Sequence, residues 1–286
     1  MPNRSPTKTL LKESKLAPHK KLGQNFLIDK NIVSHILDKA GPQSMDTIIE
    51  IGVGLGALTI PLAQRVKNVI GLEIDAGIVA MHQKNRLLPE NVSLVHQDIL
   101  KCDLNNLYKN AGGNLKIIAN LPYSISNPLL FQLIDHHDIM DYAVIMLQKE
   151  VGMRLLASPG TKEYGVLTVL LKAVASVEKI MSLGPQYFHP KPKVDSVVVK
   201  IIFHSRSYAN SNLPEYDPVL LKKIVKTAFQ QRRKTLVNSL SSLTEIWGDK
   251  TTLKKHIEAV GLTPSIRPDK LTLLEYIKLA NQAMPE

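Results

Sequence analysis

Between residues 47 and 148, short apolar runs alternate with amphipathic segments, and no other feature of the chain constrains its fold as tightly. This is the βαβα pattern of a mostly parallel sheet with helices on both faces. The strands are expected at Thr47–Ile51, Val69–Ile74, Val92–His96, Lys116–Ala119 and Ala143–Leu147. Leu58, Leu62 and Val66 repeat at helical spacing after the first strand, and Pro128 with Leu129, Leu130 and Leu133 marks another helix start. Pro185 to Pro192 reads as a proline-punctuated loop that leads into a late strand, Val194–Ile202.

The composition shifts at residues 205–217, where Ser, Asn, Tyr and Pro cluster without periodicity, and this stretch reads as a linker. Asp217-Pro218 then has the form of an N-cap followed by proline at the first helical position. Leu220, Leu221, Ile224, Val225 and Ala228 form an apolar stripe, and no strand pattern follows it. The organisation expected is a basic, disordered arm over 1–21, an α/β domain over 22–204, the linker, and a small all-helical domain over 218–286.

Lysine and arginine outnumber aspartate and glutamate by 36 to 25, which favours a polyanionic partner such as nucleic acid or an acidic membrane surface. Cys102 is the one cysteine, so no internal disulfide forms, and no zinc-type Cys/His spacing exists; a metal-free site in a reducing compartment is expected. The longest apolar stretch, Val166 to Val177, is broken by Lys172 and is too short to cross a bilayer. The first 21 residues are basic but lack the apolar core of a signal peptide, so a cytoplasmic location is expected, with a mitochondrial transit peptide left open.

Glu50-Ile51-Gly52-Val53-Gly54-Leu55-Gly56 sits where a strand turns into a helix, and glycine there lets the backbone turn sharply and approach a ligand closely. Glu73 lies 21 residues after Gly52 at the end of the second strand, where a carboxylate can accept both ribose hydroxyl hydrogens. Asp98 follows the third strand, placed to accept a hydrogen bond from an adenine amine. In an open α/β sheet these strand ends face a common crevice, so the three together point to an adenosine-containing cofactor. Gly52-x-Gly54-x-x-Ala57 also satisfies the dinucleotide pattern, which keeps an NAD-dependent oxidoreductase in view beside an S-adenosylmethionine enzyme.

At the fourth strand the chain reads Ile117-Ile118-Ala119-Asn120-Leu121-Pro122-Tyr123. Pro122 restrains Leu121 toward extended geometry, which can aim the Leu121 carbonyl outward. The amine of adenine is a poor nucleophile because its lone pair is delocalised into the ring. If the Asn120 side-chain oxygen and the Leu121 carbonyl accept its hydrogens, the nitrogen is held in line with an activated methyl and its electron density rises. Positioning of this kind supplies roughly 7–11 kcal/mol in the best intramolecular cases. Tyr123 would stack on the ring, a contact worth about 1–3 kcal/mol. A dehydrogenase has no use for an amide and carbonyl pair here, so the motif favours S-adenosylmethionine and adenine methylation.

These residues resemble the KsgA/RsmA-type ribosomal RNA adenine dimethyltransferases, relatives of the Erm resistance methyltransferases. The resemblance extends over nearly the whole chain, through Leu22-Gly23-Gln24-Asn25-Phe26-Leu27, Phe188-His189-Pro190-Lys191-Pro192-Lys193-Val194-Asp195-Ser196 and Gln231-Arg232-Arg233-Lys234-Thr235-Leu236. It implies a Rossmann-like methyltransferase sheet with a helical C-terminal domain. It also implies that Asn25 and Leu27 fold over the cofactor, that Gln24 supports this lid, and that Gly52, Gly54, Glu73, Asp98 and Asn120 complete the site. Phe188 would oppose Tyr123, so that a flipped adenine lies between two aromatic faces. Val53 stands where the family commonly has proline. Gln231-Arg232-Arg233-Lys234 and Arg267-Pro268-Asp269-Lys270-Leu271 resemble the small-subunit rRNA (16S) enzymes more than Erm proteins. The implied substrate is therefore two adjacent adenines near the 3' end of that RNA, each methylated twice, within a partly assembled small ribosomal subunit.

Lys222, Lys223, Lys226, Arg232, Arg233 and Lys234 form a basic run with no acid among them, and contact with RNA phosphates is the expectation. Four alternatives stay open at this point: the NAD enzyme, an Erm-type large-subunit methyltransferase, a non-catalytic ribosome assembly factor, and a transcription factor on the same fold.

Overall fold

The computed structural model describes residues 23–204 and 213–283. The expected basic arm, Leu22 and most of the linker lie outside the described residues.

The apolar runs form the strands that their spacing predicts, with small shifts at the ends. In chain order the elements are β1 (Phe26–Leu27), α1 (Lys30–Ala40), β2 (Thr47–Ile51), α2 (Thr59–Ala63), β3 (Asn68–Glu73), α3 (Ala76–Asn85), β4 (Val92–His96), α4 (Leu104–Ala111) and β5 (Leu115–Asn120). There follow α5 (Ser126–Asp135), β6 (Met140–Gln148), α6 (Lys149–Leu156), α7 (Val166–Val174), β7 (Ala175–Leu183), β8 (Phe188–His189) and β9 (Ser196–Phe203). Aspartate side chains at Asp29, Asp75 and Asp103 cap α1, α3 and α4 by accepting N–H bonds of the first turn.

Seven strands make one sheet in the order β4-β3-β2-β5-β6-β9-β7. The pairs from β4 through β6 are parallel, and β9 runs antiparallel to β6. The strand order reverses beside β2, with β3 on one side and β5 on the other, and such a switch point opens a crevice at the carboxyl ends of the strands. Register decides what lines it: Ile51 pairs with both Leu72 and Ala119, and Glu73 pairs with His96. Gly52, Glu73, Gln97-Asp98 and Asn120 therefore leave the sheet along one edge.

Beneath this edge the core is made of Leu37, Ile48, Leu62, Val69, Ile118 and Val144, among others, all nearly inaccessible to solvent. Helix α2 is shorter than its apolar spacing predicts, ending at Ala63, yet Val66 beyond it is still buried in this core. Two features depart from the sequence expectation. The proline-punctuated stretch contains β8, which pairs antiparallel with β1 as a separate two-stranded ribbon. An edge strand, β7, also joins the sheet over a segment whose burial does not alternate.

The chain divides into two compact units. Of the described residues, the first takes those from Gly23 to Gly152 together with Val177–Phe203; the second takes Met153–Ser176, His204 and 213–283. The second unit thus includes a stretch that the sequence reading assigned to the 22–204 domain. Its later helices are α8 (Pro218–Gln230), α9 (Leu236–Leu240), α10 (Thr244–Trp247), α11 (Lys250–Ala259) and α12 (Leu273–Asn281). Asp217 caps α8 with proline at its first position, as the sequence predicts. Tyr164 and Tyr276, both fully buried, donate hydrogen bonds to the carbonyls of Leu271 and Pro268 inside this unit. No helix among the described residues is long and apolar enough to cross a membrane.

Candidate active site

The glycine loop after β2 is held from several sides. Gly52, Gly54 and Gly56 all have positive φ, a region that suits residues without a Cβ. Gly52 N donates to the Leu72 carbonyl at 2.8 Å, and Gly56 N donates to the Val53 carbonyl at 3.0 Å. Gly54 N donates to Glu73 Oε2 at 2.9 Å, while its carbonyl oxygen lies 2.8 Å from His82 Nε2. Val53 turns inward, 3% exposed, and sits over Gly71 of β3, where an added Cβ would lie 2.5 Å from its methyl.

These bonds bear on the choice of cofactor. A dinucleotide's pyrophosphate needs free N–H groups at the loop and the helix N-terminus. Here three N–H groups of the loop already have partners within the protein, and α2 begins without a side-chain cap and spans only five residues. The carboxylate of Glu73 does meet the requirement of a ribose. Its Oε1 accepts from Asp75 N and its Oε2 from Gly54 N, both at 2.9 Å, which fixes its orientation and leaves a second lone pair on each oxygen. Asp98 Oδ1 accepts from Leu100 N and so caps the turn that follows, while the residue also lines the crevice.

One cleft, open to solvent, is lined by Asn25, Gly52, Gly54, Glu73, Asp98, Asn120, Leu121, Pro122, Tyr123 and Phe188. Every expected catalytic and cofactor residue lies on it except Leu27, which lines two adjoining cavities instead. Asn120 donates from Nδ2 to the Asn25 carbonyl at 2.9 Å. Because a carbonyl can only accept, this bond settles which end of the amide is nitrogen and turns Oδ1 the other way. Gln24 donates to Asp75 at 2.8 Å, and Asn25 donates back to the Gly23 carbonyl, so the segment before β1 is tied to the start of α3. The β1–β8 ribbon pairs Leu27 with Phe188, and Ile28 N adds a bond to the Tyr187 carbonyl. Phe188, which the resemblance set opposite Tyr123, is thereby fixed to the segment bearing Asn25 and Leu27.

The glycine loop, Glu73, Asp98 and Asn120 thus line one cleft, and the chain as a whole is similar to known proteins. The chain matches the family described as ribosomal RNA adenine dimethylase over residues 16–281. The chain belongs to that family. It is 49% identical to the ribosomal RNA small subunit methyltransferase A of Desulfotalea psychrophila, over 96% of this chain and 94% of the relative. The protein of that name from Bacillus thuringiensis is 37% identical over 98% of this chain and 95% of its own length. A dimethyladenosine transferase crystal structure from Plasmodium falciparum superposes with a TM-score of 0.74 at 27% identity, covering 89% of this chain and 95% of that one. The 23S rRNA methyltransferase ErmE shares the fold, with a TM-score of 0.66 at 20% identity. This adenine dimethylase is thus a Rossmann-like methyltransferase with a helical C-terminal unit, and the NAD oxidoreductase reading falls.

The dimethylase site contains residues that sequence reading passed over. Glu50, 1% exposed, lies under the glycine loop, and its Oε2 has no hydrogen-bond partner. Burial pushes its carboxyl up to about 8; the neighbouring Thr59 hydroxyl draws it down and the charge of Glu73 adds to the rise. His82, 3% exposed, is held below its ordinary pKa by burial, opposed by its bond to Gly54 and by Glu73, and so stands as the neutral support of the loop. A lone histidine in a helix gave no sequence signal of this role. Ile74, Ile78 and Ile99 add apolar walls beside Glu73 and Asp98.

In the second unit the basic run is less uniform than its sequence. Arg232 donates to the Lys162 and Thr161 carbonyls at 2.6 and 2.8 Å and lies 3.6 Å from Asp269. Lys223 pairs with Glu245 at 2.7 Å. Lys226, Arg233 and Lys234 are exposed, and Lys222 is half-buried.

Proposed function

We propose that the chain dimethylates the N6 amines of two adjacent adenosines near the 3' end of small-subunit rRNA, with S-adenosylmethionine as donor. The observation that carries this reading is the Asn120 amide, held by the Asn25 carbonyl so that its oxygen is turned away as an acceptor at the end of β5. When bound, the cofactor supplies an electrophilic methyl group. Glu73 would accept from the ribose hydroxyls with its remaining lone pairs, Asp98 would accept from the adenine amine of the cofactor, and Ile74, Ile78 and Ile99, which line the same cleft, would flank the purine. Asn25 would cover the methionine end, with the buried Leu27 anchoring that segment from behind through its pairing with Phe188, and Gly52 and Gly54 would allow close approach of the backbone.

On the substrate side, Asn120 Oδ1 and the Leu121 carbonyl accept the two hydrogens of the target amine. This would align the nitrogen and oppose loss of its lone pair into the ring, so the N–C bond would form as the methyl's bond to the donor sulfur breaks, by positioning and electrostatics without a strong base. The methylated nitrogen would then shed one proton to solvent, and in the second round its single remaining N–H would be accepted by one of the two oxygens. Tyr123 and Phe188 hold the flipped ring. Lys222, Lys223, Lys226, Arg233 and Lys234 contact phosphates and set the register of the RNA without reading its sequence, and Arg232 contributes mainly by bracing its own unit. The small-subunit substrate is supported by relatives named for that subunit; a partly assembled particle in the cytoplasm is the setting we propose for it.

The test is transfer of labelled methyl from S-adenosylmethionine to unmethylated small subunits, followed by nucleoside analysis. N6,N6-dimethyladenosine in small-subunit RNA is the expected product. Label in large-subunit RNA alone would indicate an Erm-type specificity, and binding without transfer would indicate an assembly factor.

A further inference from the structure

We propose that Ser196 is a positioning residue for the adenine pocket, its hydroxyl holding the phenol of Tyr123 so that the ring presents one fixed face to the base. Tyr123 OH and Ser196 Oγ lie 3.2 Å apart. The inference rests on the reading of Tyr123 as the stacking surface.

Topology explains how a residue 73 positions away reaches this site. Strand β9 runs antiparallel to β6, so its first residue stands at the edge where the parallel strands end, and Ser196 pairs there with Gln148. On the other side of β6, Asn120 pairs with Met146, and Leu121 N bonds the Met146 carbonyl. Tyr123 thus leaves β5 across the end of β6 and meets the start of β9. That start is itself anchored: Lys149 N donates to the Asp195 carbonyl at 2.9 Å, and Lys149 Nζ reaches the Asp195 carboxylate at 3.2 Å.

The residue type is informative as well. Strand β9 reads Ser-Val-Val-Val-Lys-Ile-Ile-Phe, and Ser196 is 1% exposed in the company of buried β-branched residues. An aliphatic residue would suit that position, whereas a buried hydroxyl is unfavourable unless it finds a partner. The partner it has is the tip of the aromatic residue on the cleft. Stacking energy depends on the ring plane, and a ring fixed only at its Cβ can swing about two side-chain torsions. A bond at the far end of the ring removes that freedom before the base arrives, which is preorganisation in the sense that lowers the cost of binding.

The experiment compares Ser196→Ala, Ser196→Thr, Tyr123→Phe and the Ser196→Ala/Tyr123→Phe double variant. Methyl transfer to small subunits and affinity for S-adenosylhomocysteine are both measured. The expected result is a loss of roughly two- to tenfold in kcat/KM for the RNA in each single variant, the size of one neutral hydrogen bond. Cofactor affinity stays within about twofold across the series, the double variant loses no more than either single one, and Ser196→Thr, which keeps the hydroxyl, recovers most of the rate. Additive losses, or a Ser196→Ala enzyme as fast as wild type, would overturn the proposal. If Ser196→Ala does not fold, Tyr123→Phe still decides: an unchanged kcat/KM means that the bond positions nothing. Failure of the underlying function would look different, because wild type itself would then transfer no methyl group.

Discussion

Asn120 donates its side-chain N–H to the main-chain carbonyl of Asn25, 95 residues earlier in the chain. One bond thus orients the amide proposed to receive the target amine and closes the segment proposed to cover the cofactor. Replacing Asn120 by alanine removes both effects, but unequally. Methyl transfer should fall by about a hundredfold or more in kcat, as for loss of one preorganised group at a reacting centre. Affinity for S-adenosylhomocysteine should fall by no more than about tenfold, the value of one hydrogen bond. Single-turnover transfer and calorimetry measure the two separately, and equal losses would mean that Asn120 acts on the cofactor alone.

Val53 packs over Gly71, and the space between them admits no further carbon. Gly71→Ala should therefore push the glycine loop off β3, costing about 1–3 kcal/mol of stability and weakening cofactor binding. Adding Val53→Ala should restore much of both. Melting temperatures and cofactor affinities of the two variants provide the check; no rescue by the second change would place the strain elsewhere.

Glu50 makes stability depend on pH in a direction that can be worked out. Its carboxyl, ordinarily near 4.5, is pushed up to about 8 in the folded chain, chiefly by burial. Between these values the folded chain keeps a proton that the unfolded chain releases, so this contribution to stability is intact below 4.5 and is lost as pH rises toward 8. Glu50→Gln removes the titration while keeping the shape. The variant should match wild type near pH 5 and exceed it by up to about 4 kcal/mol near pH 9. Parallel stability curves for the two proteins would show that the carboxyl does not titrate in this window.

Arg232 and Arg233 are neighbours in sequence with different expected consequences. Arg232 satisfies two carbonyls of its own unit, so Arg232→Ala should lower stability by about 1 kcal/mol. Arg233→Ala and Lys234→Ala should leave stability unchanged, weaken RNA binding, and each reduce the slope of log affinity against log salt by about 1. Filter binding across a salt series distinguishes them. A binding affinity that does not vary with salt in wild type would remove this face from RNA docking.

Much of the site was legible in local pattern. Apolar runs marked β2, β3, β4 and β5, and the residues at or just beyond their ends, Gly52, Glu73, Asp98 and Asn120, could be assigned to one edge because parallel strands end together. Other parts were not legible. Strand β1 is two residues long and owes its existence to β8, more than 160 residues later, so no periodicity could reveal either one. Ser196 reads as an ordinary β-strand serine until β9 is seen to run antiparallel at the end of β6. The basic run looks uniform because charge is a property of composition, whereas what a guanidinium does depends on the carbonyls that it meets.

The sequence by itself determined the α/β class, the crevice-lining residues and the family, since these follow from spacing along the chain and from motifs that chemistry demands. Tertiary structure decided which way the Asn120 amide faces, what supports the glycine loop, and which basic side chains are occupied. Those outcomes depend on hydrogen bonds between groups far apart in the chain, from 19 residues for Gly54 with Glu73 to 95 for Asn120 with Asn25, whose partners are fixed only when sheet order and register bring them within reach.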